Sequence, residues 1–268
     1  MREIQISRID PSAQRIEQRR DLVAEESPLH IFLNQTHYVT ILCSPSQLKE
    51  LSIGHLLSEG VLKFVDEIRE VRLERDGKCR VRTVPGIDAE KRISISQPFT
   101  RLIVSACGSP DYWPLSKLID RIDLPRVPLG FTLEAGVILG SVRRLNALGE
   151  TFRKTGGVHI AALYSRDGEL MAFAEDVGRH NAVDKVLGAG VLKKLDFQNC
   201  FLASSGRLTG DIVLKAARMR IPVVASMTAA IDSGVEAAQR TGVTLIGFAR
   251  GKRMNVYTYP ERVSLNVS

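Results

Sequence analysis

The residue best suited to covalent chemistry is a cysteine in a segment rich in glycine and proline. Cys107 follows the apolar run 102–104 and is followed directly by Gly108, Ser109 and Pro110. A thiol at the tip of such a loop is accessible, and an accessible thiolate is a good nucleophile. We therefore predict that Cys107 is a candidate nucleophile, with an ordinary loop cysteine as the alternative.

The other three cysteines have simpler interpretations. Cys43 ends one apolar run and Cys200 opens another, so both are expected in the core. Cys79 lies beside the Asp76-Gly77 turn and is expected to be half exposed. The four cysteines form no CxxC pair, which argues against a disulfide framework and a zinc ribbon.

Three polar segments have the composition of an anion site. They are residues 175–181, 204–211 and 248–253, and each follows a predicted strand. They combine hydroxyl groups, glycines and guanidinium groups, which suit a phosphate near a helix N-terminus. The alternative interpretation is a set of solvated basic turns and helix caps.

Two side chains in these segments have both a functional and a structural interpretation. Arg179 is a candidate phosphate ligand, as is Arg207, or it is the structural partner of Asp176 or Asp184. His180 has the chemistry to assist proton transfer. We favour a hydrogen bond that stabilises the turn.

The charge distribution supports a phosphate-bearing ligand. The chain has 268 residues and a net charge of +7, of which residues 212–260 contribute seven cations and two anions. Nucleic acid is the alternative partner, but aromatic residues are only 6% of the chain, which leaves few for base stacking. The Walker and GxGxxG phosphate-binding patterns are absent.

The five histidines do not form a known metal-binding pattern. HExxH and the Pro-Cys-x-x-Cys part of the zinc deaminase signature are both missing, so we predict no metal site. His30, His37 and His55 are expected on strand or helix surfaces.

The elements that must position these residues differ between the two halves. From residue 131 onward, predicted strands and helices alternate, which is typical of a parallel sheet covered by helices. Such sheets bind ligands at the carboxyl ends of their strands. The first half is strand-rich, with a polar lead-in or edge element over 1–25 and a half-buried strand over 91–97.

No apolar leader or membrane-length apolar run is visible in the sequence. We therefore expect a cytoplasmic protein that does not bind a membrane.

Several longer motifs stand out in the chain: TGGVH at 155–159, EDVGRHNAVDK at 175–185, SGR at 205–207, IPVVAS at 221–226 and GFARGKRMNVYT at 247–258. Together they resemble the formate dehydrogenase accessory family FdhD. Residues 26–29 and 44–60 are similar as well, so the resemblance covers about 25–262.

The resemblance implies a sulfurtransferase that carries sulfur as a persulfide on Cys107. The donor is a cysteine desulfurase, and the acceptor is the molybdenum or tungsten bis-(molybdopterin guanine dinucleotide) cofactor of the formate dehydrogenase catalytic subunit. GDP or GMP would mimic part of this client cofactor. The resemblance assigns cofactor binding to Phe248, Ala249, Arg250, Gly251, Lys252 and Arg253, and we add Arg207.

The resemblance also implies an architecture. Residues 131–268 would form a cytidine-deaminase-like, three-layer α/β domain without the zinc site. Residues 1–130 would form a smaller, strand-rich α+β domain that ends in the Cys107 loop. A homodimer is compatible with this fold.

One position departs from the family pattern. Many members have Cys-Gly-x-Cys in this loop, whereas here the fourth position is Pro110. A two-thiol relay is therefore absent, although a single thiolate is sufficient to carry a persulfide. The alternative function is a non-enzymatic chaperone that binds the molybdenum cofactor and docks on formate dehydrogenase.

Overall fold

The computed structural model describes residues 1–94, 126–127 and 130–265. Its largest element is a six-stranded mixed sheet with the order β13-β12-β11-β10-β8-β9. The strands are β8 (His159–Ser165), β9 (Leu170–Asp176), β10 (Cys200–Ser204), β11 (Val223–Ser226), β12 (Thr244–Arg250) and β13 (Arg253–Val256). β10, β11 and β12 are parallel. The α/β class and the strand–helix alternation predicted for the second half are confirmed.

Helices cover both faces of this sheet. They are α2 (Ala135–Leu148), α3 (Glu150–Thr155), α4 (Arg179–Leu192), α5 (Gly210–Arg218) and α6 (Asp232–Thr241). Successive strand residues face opposite sides. Leu163 and Leu202 therefore pack with α4, α5 and α6, while Tyr164 and Phe201 pack with α2. This arrangement has three layers, and its likeness to cytidine deaminases stays a prediction.

A smaller sheet and one helix make up most of the first half. The sheet has the order β4-β3-β6-β5. Its strands are β3 (Ser27–Leu33), β4 (Thr36–Cys43), β5 (Ile68–Leu73) and β6 (Lys78–Thr83), and α1 (Leu48–Ser58) packs on it. β3 with β4 and β5 with β6 are antiparallel hairpins, so the strand-rich character predicted for this half is confirmed.

Helices α1 and α4 join the two halves with their backbones in contact. A Cβ atom on Gly54 of α1 would lie 1.8 Å from the Asp184 carbonyl oxygen. A Cβ atom on Gly188 of α4 would lie 1.9 Å from the Glu50 carbonyl oxygen. Only glycine fits at both positions, so the crossing depends on this reciprocal pair. The division into two domains at residue 130 stays a prediction. In that division, the contact between α1 and α4 would lie at the interface of the two domains.

Two predictions about the first half are wrong. Residues 1–25 are neither a loosely held lead-in nor the edge of a larger sheet, because β1 (Arg2–Asp10) and β2 (Arg15–Val23) form a regular and largely exposed antiparallel hairpin that is a sheet of its own. Residues 91–94 are helical rather than extended, and 95–97 lie outside the described residues. Here Asp88 accepts a hydrogen bond from the Lys91 N–H, and this helix cap outweighs the apolar alternation.

Two short strands, β7 (Leu133–Glu134) and β14 (Val263–Ser264), pair in parallel and bring the end of the chain beside the start of α2. Among the helices that the structure describes, none is long and apolar enough to cross a membrane.

Candidate functional site

The three polar segments meet at one edge of the six-stranded sheet. β9 is antiparallel to β8, and β8 is antiparallel to β10, so β9 runs in the same direction as β10, β11 and β12. Asp176, Ser204, Ser226 and Arg250 therefore end their strands along the same edge. His159 begins β8 there, directly opposite Asp176. The predicted convergence of these loops is confirmed.

Hydrogen bonds between neighbouring loops hold this edge together. Ser205 donates its backbone N–H to the Ile160 carbonyl, and Ile160 returns a hydrogen bond to Ser205 Oγ, both at 2.9 Å. Ser226 Oγ donates to the Gly206 carbonyl at 2.7 Å. These contacts fix the loops after β10 and β11 relative to β8.

The cations of the edge differ in their surroundings. Arg207 is exposed. The stem of Arg179 passes over Gly206, since a Cβ on that glycine would lie 2.8 Å from Arg179 Cβ. Asp176 binds Lys185, and Asp184 binds Lys215, so neither predicted structural partner is paired with Arg179.

His159 and His180 are held in different ways. Burial lowers the pKa of His159, and the cations Arg179, His180 and Arg207 lower it further. His180, in the first turn of α4, forms an ion pair with Asp211 in the first turn of α5. Burial alone would raise the pKa of Asp211, but the contact with His180 outweighs it and lowers the pKa to about 2.

Residues 248–253 form a basic hairpin at the end of β12. Arg250, Gly251, Lys252 and Arg253 are exposed, whereas Ala249 is buried.

A β-bulge gives this hairpin an unusual backbone. The bulge lies between Gly247 and Arg250, and it places Phe248 in the left-handed region at φ 51°. The Arg250 guanidinium lies over the Phe248 ring, 5.3 Å from its centroid. The strand β13 and this bulge were missed, because nothing local in the sequence distinguishes them from a basic turn.

A second cluster of charged residues is buried between the halves. Lys215 Nζ lies 2.8 and 2.9 Å from the two Asp184 carboxylate oxygens, and it also contacts Glu59. Ser58 Oγ donates to Asp184 at 2.6 Å, and His55 Nδ1 lies 2.9 Å from the same carboxylate. Part of the positive charge of residues 212–260 therefore stabilises this buried cluster, which lies where the two halves meet. We call it the joint.

This joint corrects the sequence expectation for His55, and it also contains a group of possible metal ligands. His55 is buried, not on a helix surface. His55, Glu59 and Asp184 offer ligand atoms within 4.8 Å of one another, as a metal site would. The Lys215 ammonium contacts both carboxylates, so it supplies the positive charge that a metal ion would bring.

The cysteines divide into buried and undescribed residues. Cys43, Cys79 and Cys200 are all buried, so the half-exposed position predicted for Cys79 is wrong. Burial raises the pKa of Cys43 and of Cys200 to about 11, which keeps both thiols protonated. Cys107 lies outside the described residues.

Comparisons with known proteins show which proteins the chain is similar to. The model of the FdhD/NarQ family matches residues 24–264. The chain is 35% identical to "Sulfur carrier protein FdhD" of Sulfolobus acidocaldarius over 91% of this chain and 92% of that protein. It is 33% identical to the protein of the same name from Methanothermobacter thermautotrophicus over 98% of both.

A solved structure shows the same fold over nearly the whole chain. It is a crystal structure of a Desulfotalea psychrophila protein assigned as a formate dehydrogenase accessory protein, with a TM-score of 0.76 and 29% identity over 98% of both chains. The sequence match and the fold thus point the same way. The chain belongs to the FdhD/NarQ family.

Proposed function

We propose that this protein is a sulfur carrier in the maturation of formate dehydrogenase. It accepts sulfur from a cysteine desulfurase as a Cys107 persulfide and delivers it to the molybdenum or tungsten bis-guanine-dinucleotide cofactor. Relatives at 33–35% identity over most of the chain are named sulfur carrier proteins, which supports the proposal. The observation that carries it is the burial of Cys43, Cys79 and Cys200, which leaves Cys107 as the candidate carrier thiol.

The loading step needs one thiolate only. The Cys107 thiolate attacks the terminal sulfur of the donor's persulfide, a new S–S bond forms, and the donor leaves as a thiolate. Pro110 stands where many family members have a second cysteine, and this step does not involve that position. A cytoplasmic setting would keep the thiol reduced between cycles.

The sheet edge is the proposed binding place of the client cofactor. Arg207 and residues 248–253 bring cations and one aromatic ring to the carboxyl ends of β10 and β12. Strand ends of this kind are the usual ligand position in α/β sheets. We expect GDP or GMP to occupy the same surface as the guanine dinucleotide, and the formate dehydrogenase catalytic subunit to dock close by. A homodimer remains compatible with this proposal.

Intact-mass analysis tests the carrier role. The protein is incubated with a cysteine desulfurase and cysteine, and we expect the mass to increase by one sulfur atom. Cys107→Ala should lose the adduct, while Cys43→Ser should keep it because that thiol is buried and protonated. Absence of the adduct on the native chain, or an unchanged adduct on Cys107→Ala, would refute the carrier role.

The second candidate function is a cofactor chaperone that moves no sulfur. Pro110 is the observation that favours it. It predicts that Cys107→Ala still restores formate dehydrogenase activity in a complementation assay, whereas the carrier proposal predicts that it does not.

Nucleic-acid binding is the alternative that the charge of the chain offers. It predicts that binding to oligonucleotides depends steeply on salt and that GDP is not preferred over unrelated nucleotides.

A further inference from the structure

Two guanidinium groups and one imidazole lie close together at the sheet edge. His159 begins β8, Arg179 begins α4, and Arg207 lies in the loop after β10. Ser205 Oγ is 3.4 Å from His159 Nδ1, which brings the β10 loop against the histidine. The Arg179 stem covers Gly206, beside Arg207, since a Cβ on that glycine would lie 3.2 Å from Arg179 Cδ. We call His159, Arg179 and Arg207 the edge cluster.

The carboxylates around the edge cluster are engaged elsewhere. Asp176 contacts Lys185 at 2.6 Å and accepts a hydrogen bond from Asn181 at 3.0 Å. Asp211 is paired with His180. Glu175 accepts hydrogen bonds from two backbone N–H groups at the start of α3, at 2.7 and 3.2 Å. Over residues 1–94, 126–127 and 130–265, these carboxylates therefore leave the cluster's positive charge unbalanced.

Arg179 also has an unmet hydrogen bond. Its Nε is buried and has no hydrogen-bond partner within the part of the chain that the structure describes. A buried donor without an acceptor costs free energy, and the cost is larger for a charged group. This atom therefore needs an acceptor that the described protein does not supply.

The backbone adds to the same field. The first helical hydrogen bond of α4 runs from Ala182 to the Gly178 carbonyl, so the N–H groups of residues 179–181 precede it. The positive end of the helix dipole therefore lies beside the edge cluster. An anion placed there would meet the guanidinium groups, the imidazole and this dipole together.

We propose that His159, Arg179 and Arg207 bind a phosphoryl oxyanion, which would be the diphosphate of the nucleotide part of the client cofactor. The identity of that nucleotide rests on the proposed function, whereas the oxyanion site stands on the edge cluster itself. Two parts of the sheet edge would then bind two parts of the ligand. The cluster holds the phosphates, and the Phe248–Arg253 hairpin contacts the rest of the nucleotide.

Proton uptake accompanies binding at this site. His159 faces Arg179 and His180 of α4, Asp176 of β9 and Arg207 of the β10 loop, and burial with the cations lowers its pKa. A bound anion opposes these cations and so raises the pKa. Binding therefore strengthens as the pH falls through the range in which His159 gains its proton.

Titrations of three probes test the site. GDP, inorganic pyrophosphate and guanosine are titrated into the native chain and into Arg179→Gln by calorimetry. We expect Arg179→Gln to weaken GDP and pyrophosphate by about 10- to 100-fold, the value of a hydrogen bond to a charged group. Guanosine has no phosphate, so its affinity should not change. Arg143→Gln, an exposed arginine on α2 at the other face of the sheet, is the matched control and should bind all three probes as the native chain does.

A pH series gives a readout that altered packing would not produce. Pyrophosphate affinity should rise from about pH 8 to about pH 5.5 more steeply in the native chain than in His159→Gln, because only the native chain gains the histidine proton. The ligand itself also titrates in this range, and the comparison removes its contribution. Circular dichroism checks that each variant is folded. Arg179→Lys keeps the positive charge and should keep part of the affinity, which a misfolded variant would not.

The outcomes separate this inference from the proposed function. If folded Arg179→Gln and His159→Gln bind GDP and pyrophosphate as tightly as Arg143→Gln does, the oxyanion site is refuted while nucleotide binding stands. If pyrophosphate binds and Arg179→Gln loses it, but GDP binds no better than pyrophosphate, the oxyanion site stands and the guanine nucleotide assignment fails.

Discussion

Replacing Lys215 by methionine removes the ammonium group that contacts both Asp184 and Glu59. Methionine keeps most of the volume of the lysine stem, so the change is mainly electrostatic. Lys215, Asp184 and Glu59 have side chains that are 1–3% exposed, so water cannot replace the lost ammonium. The two carboxylates are then left beside each other, opposed by His55 and Ser58 and, at longer range, by Arg218.

The cost follows from this geometry. Breaking a buried ion pair by removing one partner costs about 3–5 kcal/mol, and here one ammonium serves two carboxylates. A domain of ordinary stability has about 5–15 kcal/mol in total. We therefore expect Lys215→Met to lose at least about 3 kcal/mol of unfolding free energy, measured by urea denaturation at neutral pH.

The pH dependence identifies the cause. Burial would raise the pKa of Asp184, but Lys215 and His55 outweigh it and hold the pKa below its usual range. In the native chain, this contribution is present above the unfolded pKa of about 3.9 and is lost as the pH falls through the folded pKa. In Lys215→Met the carboxylates ionise less readily, so the deficit should shrink between about pH 7 and about pH 4.

Lys154→Met is the matched control. Lys154 pairs with Glu150 on the exposed face of α3, where the ion pair is solvated, so no measurable change in stability is expected. A loss below about 1 kcal/mol in Lys215→Met, or a deficit that does not change with pH, would refute the electrostatic explanation of the joint.

Three further predictions follow from the described structure. Gly54→Ala places a Cβ against the α4 backbone and should lower the unfolding free energy by about 3 kcal/mol, whereas Gly136→Ala, which has open space on α2, should raise it slightly in the same denaturation assay. Phe248→Asn keeps a residue that tolerates the left-handed backbone but removes the ring under Arg250, so GDP affinity should fall about tenfold with Tm unchanged; equal affinity by calorimetry would contradict ring stacking. Deleting residues 1–23 removes a largely exposed hairpin and should leave the Tm of the remaining chain almost unchanged by calorimetry, while a large drop would show that the hairpin supports the core.

Much of the second half follows from its sequence alone. Alternating apolar runs and helix patterns predicted the strands and helices from residue 131 onward, and parallel strand direction placed the loops after β9, β10 and β12 at one edge. Alternation failed at residues 91–94, where the Asp88 cap decides for helix. The register of β1 with β2 was also beyond a local interpretation, because a polar hairpin lacks the apolar face that the alternation rule requires.

The site shows the same division. Residue types alone indicated that Arg179, Arg207 and the 248–253 hairpin suit an anion. The sequence could not show whether Asp176 neutralises Arg179. In the structure Asp176 instead binds Lys185 and the backbone N–H of Ser44, which is 132 residues away in the chain. Which residue pairs with a charged side chain is decided by tertiary packing, and it cannot be predicted from the local sequence.

The sequence by itself determined the elements of the second half, the edge at which its polar loops meet, and the family motifs, because hydrophobic period and turn residues act locally. Only the tertiary structure decided which charged side chains are neutralised inside the molecule and which are available to a ligand. Lys215 and Arg179 are both basic residues in helices. Lys215 neutralises two buried carboxylates, whereas Arg179 at the sheet edge has a buried Nε without a hydrogen-bond partner among the residues that the structure describes. The cause is long-range: α1 and α4 approach until their backbones touch, and that contact brings Glu59 and Asp184 together around Lys215.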